Sequence, residues 1–144
     1  MLAGSEGTLA FCTELTLKLS PILKNKVLLV LGYSDIDSAI KDGLRIKQSS
    51  PSPFAIEVLD ENLLDLAKND EVYFAIQDIF PFSDKLGALN LVEFNCNIES
   101  LPENICNDKL ILQSYKTSDS ELIKAFWNIR KKGVGLLASM AGAA

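Results

Sequence analysis

Apolar and polar residues alternate along the start of the chain. Between residues 8 and 19 (TLAFCTELTLKL) the odd positions are apolar except for Thr13, and the even positions are small, polar or charged. A hydrophobic period of two residues is typical of a half-buried β-strand. We therefore predict one strand here, or two in series, ended by Ser20-Pro21.

Apolar runs and capping residues predict the elements that follow. Strands are expected at residues 26–31, 54–59, 88–94 and 109–115. Three helices are expected from their capping residues. The first follows residues 34–37 and has Ala39, Ile40, Leu44 and Lys47 on one side, and the second is a short helix after Asp60 that carries Leu63, Leu64 and Ala67. The third runs from Ser118, which forms a capping box with Glu121, to about Lys132. Residues 49–53 (SSPSP) predict a turn, residues 71–86 a connection poor in helix, and residues 95–108 at most a short helix.

The order of these elements predicts the fold class. Strands are dispersed among helices without a repeated long crossover, which favours an α+β fold over a doubly wound parallel sheet. We expect an antiparallel sheet with helices packed on one face, ferredoxin-like in outline.

Composition and charge narrow the function. The 144 residues, 48% of them hydrophobic, suit one globular domain. A net charge of −5 argues against nucleic acid or an anionic membrane as a partner. The sequence shows neither a signal peptide nor an apolar stretch approaching the ~20 residues that span a bilayer, so a cytoplasmic location is expected.

Two residue types limit the chemistry. The chain contains no histidine, which excludes Ser-His-Asp and Cys-His catalysis and His-ligated zinc within it. Cys12, Cys96 and Cys106 are odd in number and match no metal-binding spacing, so we expect reduced thiols and no metal site in this segment.

The first candidate site is the segment LAGSEGTLAF at residues 2–11. Glycines allow the main chain to approach a ligand closely, and successive N–H groups can form an anion-binding nest. Gly4, Ser5, Gly7 and Thr8 could therefore bind an anionic group. The alternative is an ordinary glycine-containing turn before a strand.

The same segment resembles a known family. The similarity lies in five segments that follow one another in the family's order: GSEGTLAF, TELTLKLSP, PSPFAIEVLDENLLDLA, LNLVEF and FWNIRKKGVGLL. Through these segments the chain is similar to FAD-linked oxidases of the vanillyl-alcohol-oxidase and D-lactate dehydrogenase type. The likeness is greatest to large bacterial enzymes that join this flavoprotein to an iron–sulfur domain and oxidise D-2-hydroxyglutarate or D-lactate. It implies that residues 1–20 close the FAD-binding domain and that residues 21–144 form part of the C-terminal substrate, or cap, domain, so that the fold is incomplete.

The resemblance also implies ligands. Gly4, Ser5, Gly7 and Thr8 would donate to the FAD pyrophosphate and ribityl groups, and Cys12 would lie at a flavin contact where the family carries another residue. An iron–sulfur cluster, a divalent metal with its histidine ligands, and the catalytic base would lie outside this segment. The substrate would be a small D-2-hydroxy acid.

Arg130 is the candidate substrate-binding residue. It lies three residues after Trp127 and four after Phe126, on the apolar side of the predicted last helix, where a guanidinium needs a partner. The resemblance implies that this partner is the substrate carboxylate; the alternative is an arginine at the rim or paired with a local acid. The hydroxyl residue that some relatives carry four positions later is Val134 here.

Weaker candidates are Glu57 and Glu93, each within an apolar strand, while Trp127 is expected in the core or a pocket wall and Lys131-Lys132 at a solvated helix end. The function implied by the resemblance is an FAD-dependent dehydrogenase, with this chain alone inactive and prone to self-association. A stand-alone binding module without catalysis is the alternative.

Overall fold

A computed structural model describes residues 2–19, 22 and 24–141, with side chains as far as residue 135. The strands are β1 (Lys26–Tyr33), β2 (Ala55–Asp60), β3 (Ala88–Asn95) and β4 (Gln113–Thr117). The helices are α1 (Ile36–Lys47), α2 (Glu61–Lys68), α3 (Glu71–Phe74) and α4 (Ser120–Ala141), and two 3-10 turns cover Ile98–Ser100 and Glu103–Cys106.

The four strands form one antiparallel sheet in the order β2-β3-β1-β4. β3 lies between β1 and β2, which α1 connects, as in the split β-α-β unit of ferredoxin-like folds. The predicted α+β class and antiparallel sheet are therefore confirmed. The second crossover, from β3 to β4, consists of the two 3-10 turns.

Two apolar clusters cover the two faces of the sheet. Alternate residues of β1 contribute to each: Leu28 and Val30 pack with α2, α4 and the connection at residues 71–86, whereas Val27 and Leu29 pack with α1 and the second crossover. Both crossover segments thus lie on one face, and α2 and α4 lie on the other. Helices therefore pack on both faces of the sheet rather than on the one face that we predicted, because α2 and α4 bury their apolar sides against the face that α1 leaves uncovered. Because both faces are covered, β1 and β3 are buried along nearly their whole length.

The strand predicted between residues 8 and 19 is wrong. These residues form no regular element, and their apolar side chains are exposed, with Phe11 at 94%. The physical reason is that an amphipathic strand is stable only when a sheet pairs with its backbone and covers its apolar side. The Ser20-Pro21 end of that strand lies outside the described residues.

The side of α1 on which we placed Ala39, Ile40, Leu44 and Lys47 is not the side that the helix buries. Ala39 is buried, but Ile40 and Leu44 are exposed, and Asp42, Gly43 and Ile46 face the sheet instead. The helix is rotated because Asp42 has hydrogen-bonding partners in the interior and Gly43 permits a close approach to the sheet.

The end of the chain needs smaller corrections. The last strand lies at Gln113–Thr117, about four residues later than predicted at its start. The cap of α4 is Asp119 rather than Ser118, since the Asp119 carboxylate accepts the N–H groups of Glu121 and Leu122 at 2.8 and 2.9 Å. The helix continues past Lys132 to Ala141 because its two glycines do not interrupt it.

The cap of α2 is confirmed. The Asp60 side chain accepts the N–H of Leu63 at 3.0 Å, and Leu63, Leu64 and Ala67 are buried as predicted. The connection at residues 71–86 contains only the four-residue α3.

Candidate functional site

Helix α4 carries the candidate site across one face of the sheet. Trp127 reaches Glu93 on β3, and Arg130, almost one turn later, reaches Glu57 on β2. Further along, Gly133 lies against Leu63 of α2, where an added Cβ would be 2.6 Å from the Leu63 Cγ. The helix therefore brings Trp127 and Arg130 against Glu93 and Glu57 of the sheet, and we call these four residues the polar strip.

The guanidinium of Arg130 pairs with the carboxylate of Glu57. Nε lies 3.4 Å from Oε2 and Nη2 lies 3.5 Å from Oε1, and both side chains are about 40% exposed (40% and 39%). Such a long, half-exposed pair contributes at most about 1 kcal/mol to stability. Because a guanidinium has five N–H donors, the pair leaves donors with which Arg130 can bind a second carboxylate.

Glu93 is the buried carboxylate of the strip. Its Oε2 accepts the indole N–H of Trp127 at 3.1 Å, and its Oε1 lies 3.3 Å from the Nζ of Lys26. Only 6% of the residue is exposed, because β3 is covered on both faces. A surface groove of ≈ 320 Å³ opens beside it, with Asn128 and Lys131 among its other lining residues.

These contacts bear on several predictions from the sequence. Arg130 lies on the sheet-facing side of α4 and has the local acid that we considered as an alternative partner. Trp127 forms a wall of the groove. Lys132 lies at the surface and bonds Asp70 and Glu71 at 3.2 and 3.3 Å, and these bonds raise its pKa.

The glycine segment at the start of the chain forms two consecutive turns. The N–H of Ser5 donates to Leu2 O at 3.1 Å, and the N–H of Thr8 donates to Ser5 O at 2.9 Å. Gly4 and Gly7 have φ of 86° and 82°, and Glu6 between them has a φ of 48°. Residues other than glycine adopt such values at a cost, so the glycines are required by the backbone rather than by crowding.

The main chain of these turns is accessible to an anionic ligand. A Cβ placed on Gly4 or Gly7 would meet nothing within 4 Å, so a phosphate can approach the main chain there. Cys12 is exposed, and its Sγ lies 3.3 Å from Glu14 O. Within the described residues, no hydrogen bond or ion pair joins this segment to Arg130, and the structure does not bring the two candidate sites together.

A second polar network, beneath α1, was missed by the sequence analysis. The hydroxyl of Tyr33 donates to Asp42 Oδ2 at 2.7 Å, and the Nε of Arg45 donates to Asp42 Oδ1. Asn90 of β3 donates to the Tyr33 oxygen at 3.3 Å and to Ala39 O at 2.8 Å. Burial and the bond to Asp42 raise the pKa of Tyr33, so this hydroxyl stays protonated. A polar residue within an otherwise apolar strand (Asn90 in ALNLVEF) was the available signal.

Within the described ranges, the other titratable groups form no metal-binding cluster. Among the described residues, no three His, Cys, Asp or Glu side chains come together as metal ligands. Cys96 and Cys106 are free thiols whose pKa is raised by burial. No helix within the described ranges has the length and apolar character needed to cross a membrane.

The structure is an α+β domain with a half-exposed arginine, Arg130, paired with Glu57 on one face of its sheet. Residues 22–144 match the model of the family described as FAD linked oxidases, C-terminal domain, and the chain belongs to this family. The resemblance inferred from the sequence motifs is thereby confirmed.

Individual relatives agree with the family. The D-2-hydroxyglutarate dehydrogenases of Pantoea ananatis and Escherichia coli are each 31% identical over 160 residues, covering 100% of the chain and 15% of each relative. The D-lactate dehydrogenase of Anaerostipes hadrus is 29% identical over 108 residues, covering 73% of the chain and 22% of that protein. The chain therefore spans about 15% of the length of the D-2-hydroxyglutarate dehydrogenases that it matches.

Proposed function

We propose that the chain is the substrate-side part of a longer FAD-dependent dehydrogenase that oxidises a D-2-hydroxy acid. The observation that carries the proposal is the family match over residues 22–144, and the names of the relatives support the substrate class. In this proposal residues 1–20 close the FAD-binding domain and residues 21–144 belong to the substrate domain. The cytoplasmic location expected from the sequence stays a prediction.

Arg130 binds the substrate carboxylate in this proposal. Glu57 orients the guanidinium before the substrate arrives, and it is displaced at little cost because the pair is long and half-exposed. The planar fork of an arginine suits a carboxylate because two parallel N–H groups can donate to its two oxygens. Because C2 is bonded to this carboxylate, binding at Arg130 would hold C2 close to the guanidinium.

The groups that would hold the cofactor lie in the turns at the start of the chain. Gly4, Ser5, Gly7 and Thr8 would donate main-chain and hydroxyl groups to the FAD phosphates, and Cys12 would lie near the flavin. If FAD is bound in the longer polypeptide, it would supply the redox chemistry as the acceptor of the hydride from the substrate's C2, and a base outside this segment would take the hydroxyl proton. An iron–sulfur cluster and a divalent metal would belong to other segments of that polypeptide.

Replacing Arg130 tests this role. We expect Arg130→Ala in the complete polypeptide to lower kcat/KM for D-2-hydroxyglutarate or D-lactate by about 30-fold, since a charge-assisted hydrogen bond is worth roughly 2 kcal/mol. Arg130→Lys should lose less, because it keeps the charge without the fork. Dye reduction under steady-state conditions measures both.

The matched control is Lys132→Ala, which removes another ion-paired cation from the same helix. It should leave kcat/KM within about twofold, because exposed ion pairs contribute little. The proposed role is wrong if Arg130→Ala behaves in the same way as this control.

A further inference from the structure

The two edges of the sheet differ in chemistry. The outer strand β4 exposes Ser114 and Lys116, and charged side chains of this kind discourage edge-to-edge pairing. The opposite outer strand, β2 (AIEVLD), has no lysine and exposes Val58. In the part of the chain that the structure describes, β3 is the strand that pairs with β2, and the outer edge of β2 is open.

The flank of α1 beside this edge is apolar. Ile36, Ile40 and Leu44 are spaced four residues apart and are 44%, 46% and 59% exposed. Gly43 places α1 over β2, since a Cβ on it would lie 3.8 Å from the Cγ2 of Ile56. The apolar flank and the open edge therefore adjoin.

The exposed Val58 side chain of β2 lies on the same face of the sheet as α1. Ile56 lies opposite Val92, and Val58 lies opposite Asn90, in the register with β3. Val92 belongs to the cluster beneath α1. Directly opposed residues of an antiparallel pair share a face, so Ile56 and Val58 lie on the α1 side of the sheet.

We propose that two copies of this chain pair through the outer edge of β2, with their α1 helices packed flank to flank. A twofold axis perpendicular to the sheet makes β2 antiparallel to its copy and gives one continuous eight-stranded sheet. Such an interface is self-complementary, as twofold interfaces are, and it supplies partners for the open main-chain edge. The proposal concerns the 144-residue chain by itself and does not depend on the proposed catalytic function.

One register of β2 against its copy suits both the paired strands and the two packed α1 helices. Placing Ile56 opposite Ile56 of the second copy puts Glu57 opposite Ala55, so that the two Glu57 side chains do not directly oppose each other. In the helix layer, an axis near residue 42 puts Ile40 opposite Leu44 of the second copy. Because Gly43 lies over Ile56, the centres of the two layers coincide.

Charge is complementary in the same arrangement. An axis near residue 42 of α1 also brings Lys47, in the last turn, opposite Asp37, in the first turn of the second copy's α1. Antiparallel helices in addition place the positive end of one dipole beside the negative end of the other. The twofold pairing thus creates two equivalent Asp37–Lys47 pairs.

The first test measures the mass of the 144-residue chain by sedimentation velocity across a concentration series. We expect a concentration-dependent dimer, and Leu44→Lys should raise its dissociation constant at least about tenfold, as truncation of a central interface residue does. Leu112→Lys is the matched control, because Leu112 is a similarly exposed leucine (52%) beside the opposite edge strand. A monomer at all concentrations, or equal effects of the two variants, would overturn the proposal.

The second test separates this interface from other modes of association. Lys47→Glu and Asp37→Lys should each weaken the dimer, since each variant opposes like charges at both pairs. A mixture of the two variants should form a heterodimer, detected by native mass spectrometry, because positions 37 and 47 then carry opposite charges across the interface at both pairs. Failure of the mixture to associate when each variant shows the circular dichroism of the folded chain would rule out the antiparallel α1 contact.

Discussion

Replacing Asp42 by alanine is expected to destabilise the fold by about 2–3 kcal/mol, the usual cost of leaving a buried hydrogen-bond donor without its acceptor. Asp42 is 1% exposed and accepts hydrogen bonds from both Tyr33 and Arg45. Without it the Tyr33 hydroxyl, which is buried, loses its acceptor. Arg45 also donates to Ile105 O at 2.8 Å, so the loss reaches the second crossover as well as α1.

Urea unfolding followed by circular dichroism measures this loss. Lys41→Ala, at an exposed position of the same helix, is the matched control and should change the free energy of unfolding by no more than about 0.5 kcal/mol. Tyr33→Phe combined with Asp42→Ala should cost less than the sum of the single variants, since the pair interacts. A loss below about 1 kcal/mol for Asp42→Ala would contradict an anchoring role of this network.

The second large effect is expected at Gly87, just before β3. Its N–H donates to Tyr33 O at 2.9 Å, and a Cβ on it would overlap the carbonyl oxygen of Ser34 and lie 2.9 Å from its carbon. Backbone atoms cannot move aside as a flexible side chain can. Gly87→Ala should therefore cost about 2–4 kcal/mol through overpacking.

Gly135→Ala is the control variant, and it is expected to change the free energy of unfolding in the opposite direction. Gly135 lies within α4, and a Cβ on it would meet nothing within 4 Å. Gly135→Ala should stabilise the fold by about 0.5–1 kcal/mol, because alanine loses less conformational entropy in a helix. Thermal and urea unfolding of both variants check the pair, and a Gly87→Ala variant as stable as the parent chain would show that the close approach to Ser34 is wrong.

The elements that were predictable from the sequence are those with local causes. Asp60 caps α2 through the N–H of Leu63, three residues away, and the apolar runs of β1 and β3 are long enough to identify strands. The failed strand at residues 8–19 shows the limit of periodicity. Alternation reports that a segment is amphipathic, whereas the strand itself needs a neighbour that the described residues do not supply.

The buried polar groups were less predictable because their partners are distant in sequence. Asp42 was not placed in the core because Tyr33, which donates to it, lies on another element and itself accepts a hydrogen bond from Asn90 of β3. Arg130 could be placed on the inner side of its helix from its spacing. The pairing of Arg130 with Glu57 could not be predicted from the sequence, because 73 residues separate the two and only the crossing of α4 over β2 brings them together.

The measurement that tests the central proposal most directly is anaerobic reduction of the flavin. Mixing the complete polypeptide with D-2-hydroxyglutarate or D-lactate should bleach the absorbance of oxidised FAD, whereas the L enantiomers should not. The 144-residue chain with added FAD should show neither bleaching nor saturable flavin binding. The reason is that a ligand site normally encloses most of its ligand, whereas residues 2–19 are almost all exposed. A complete polypeptide whose flavin stays oxidised with both D acids would contradict the proposed function.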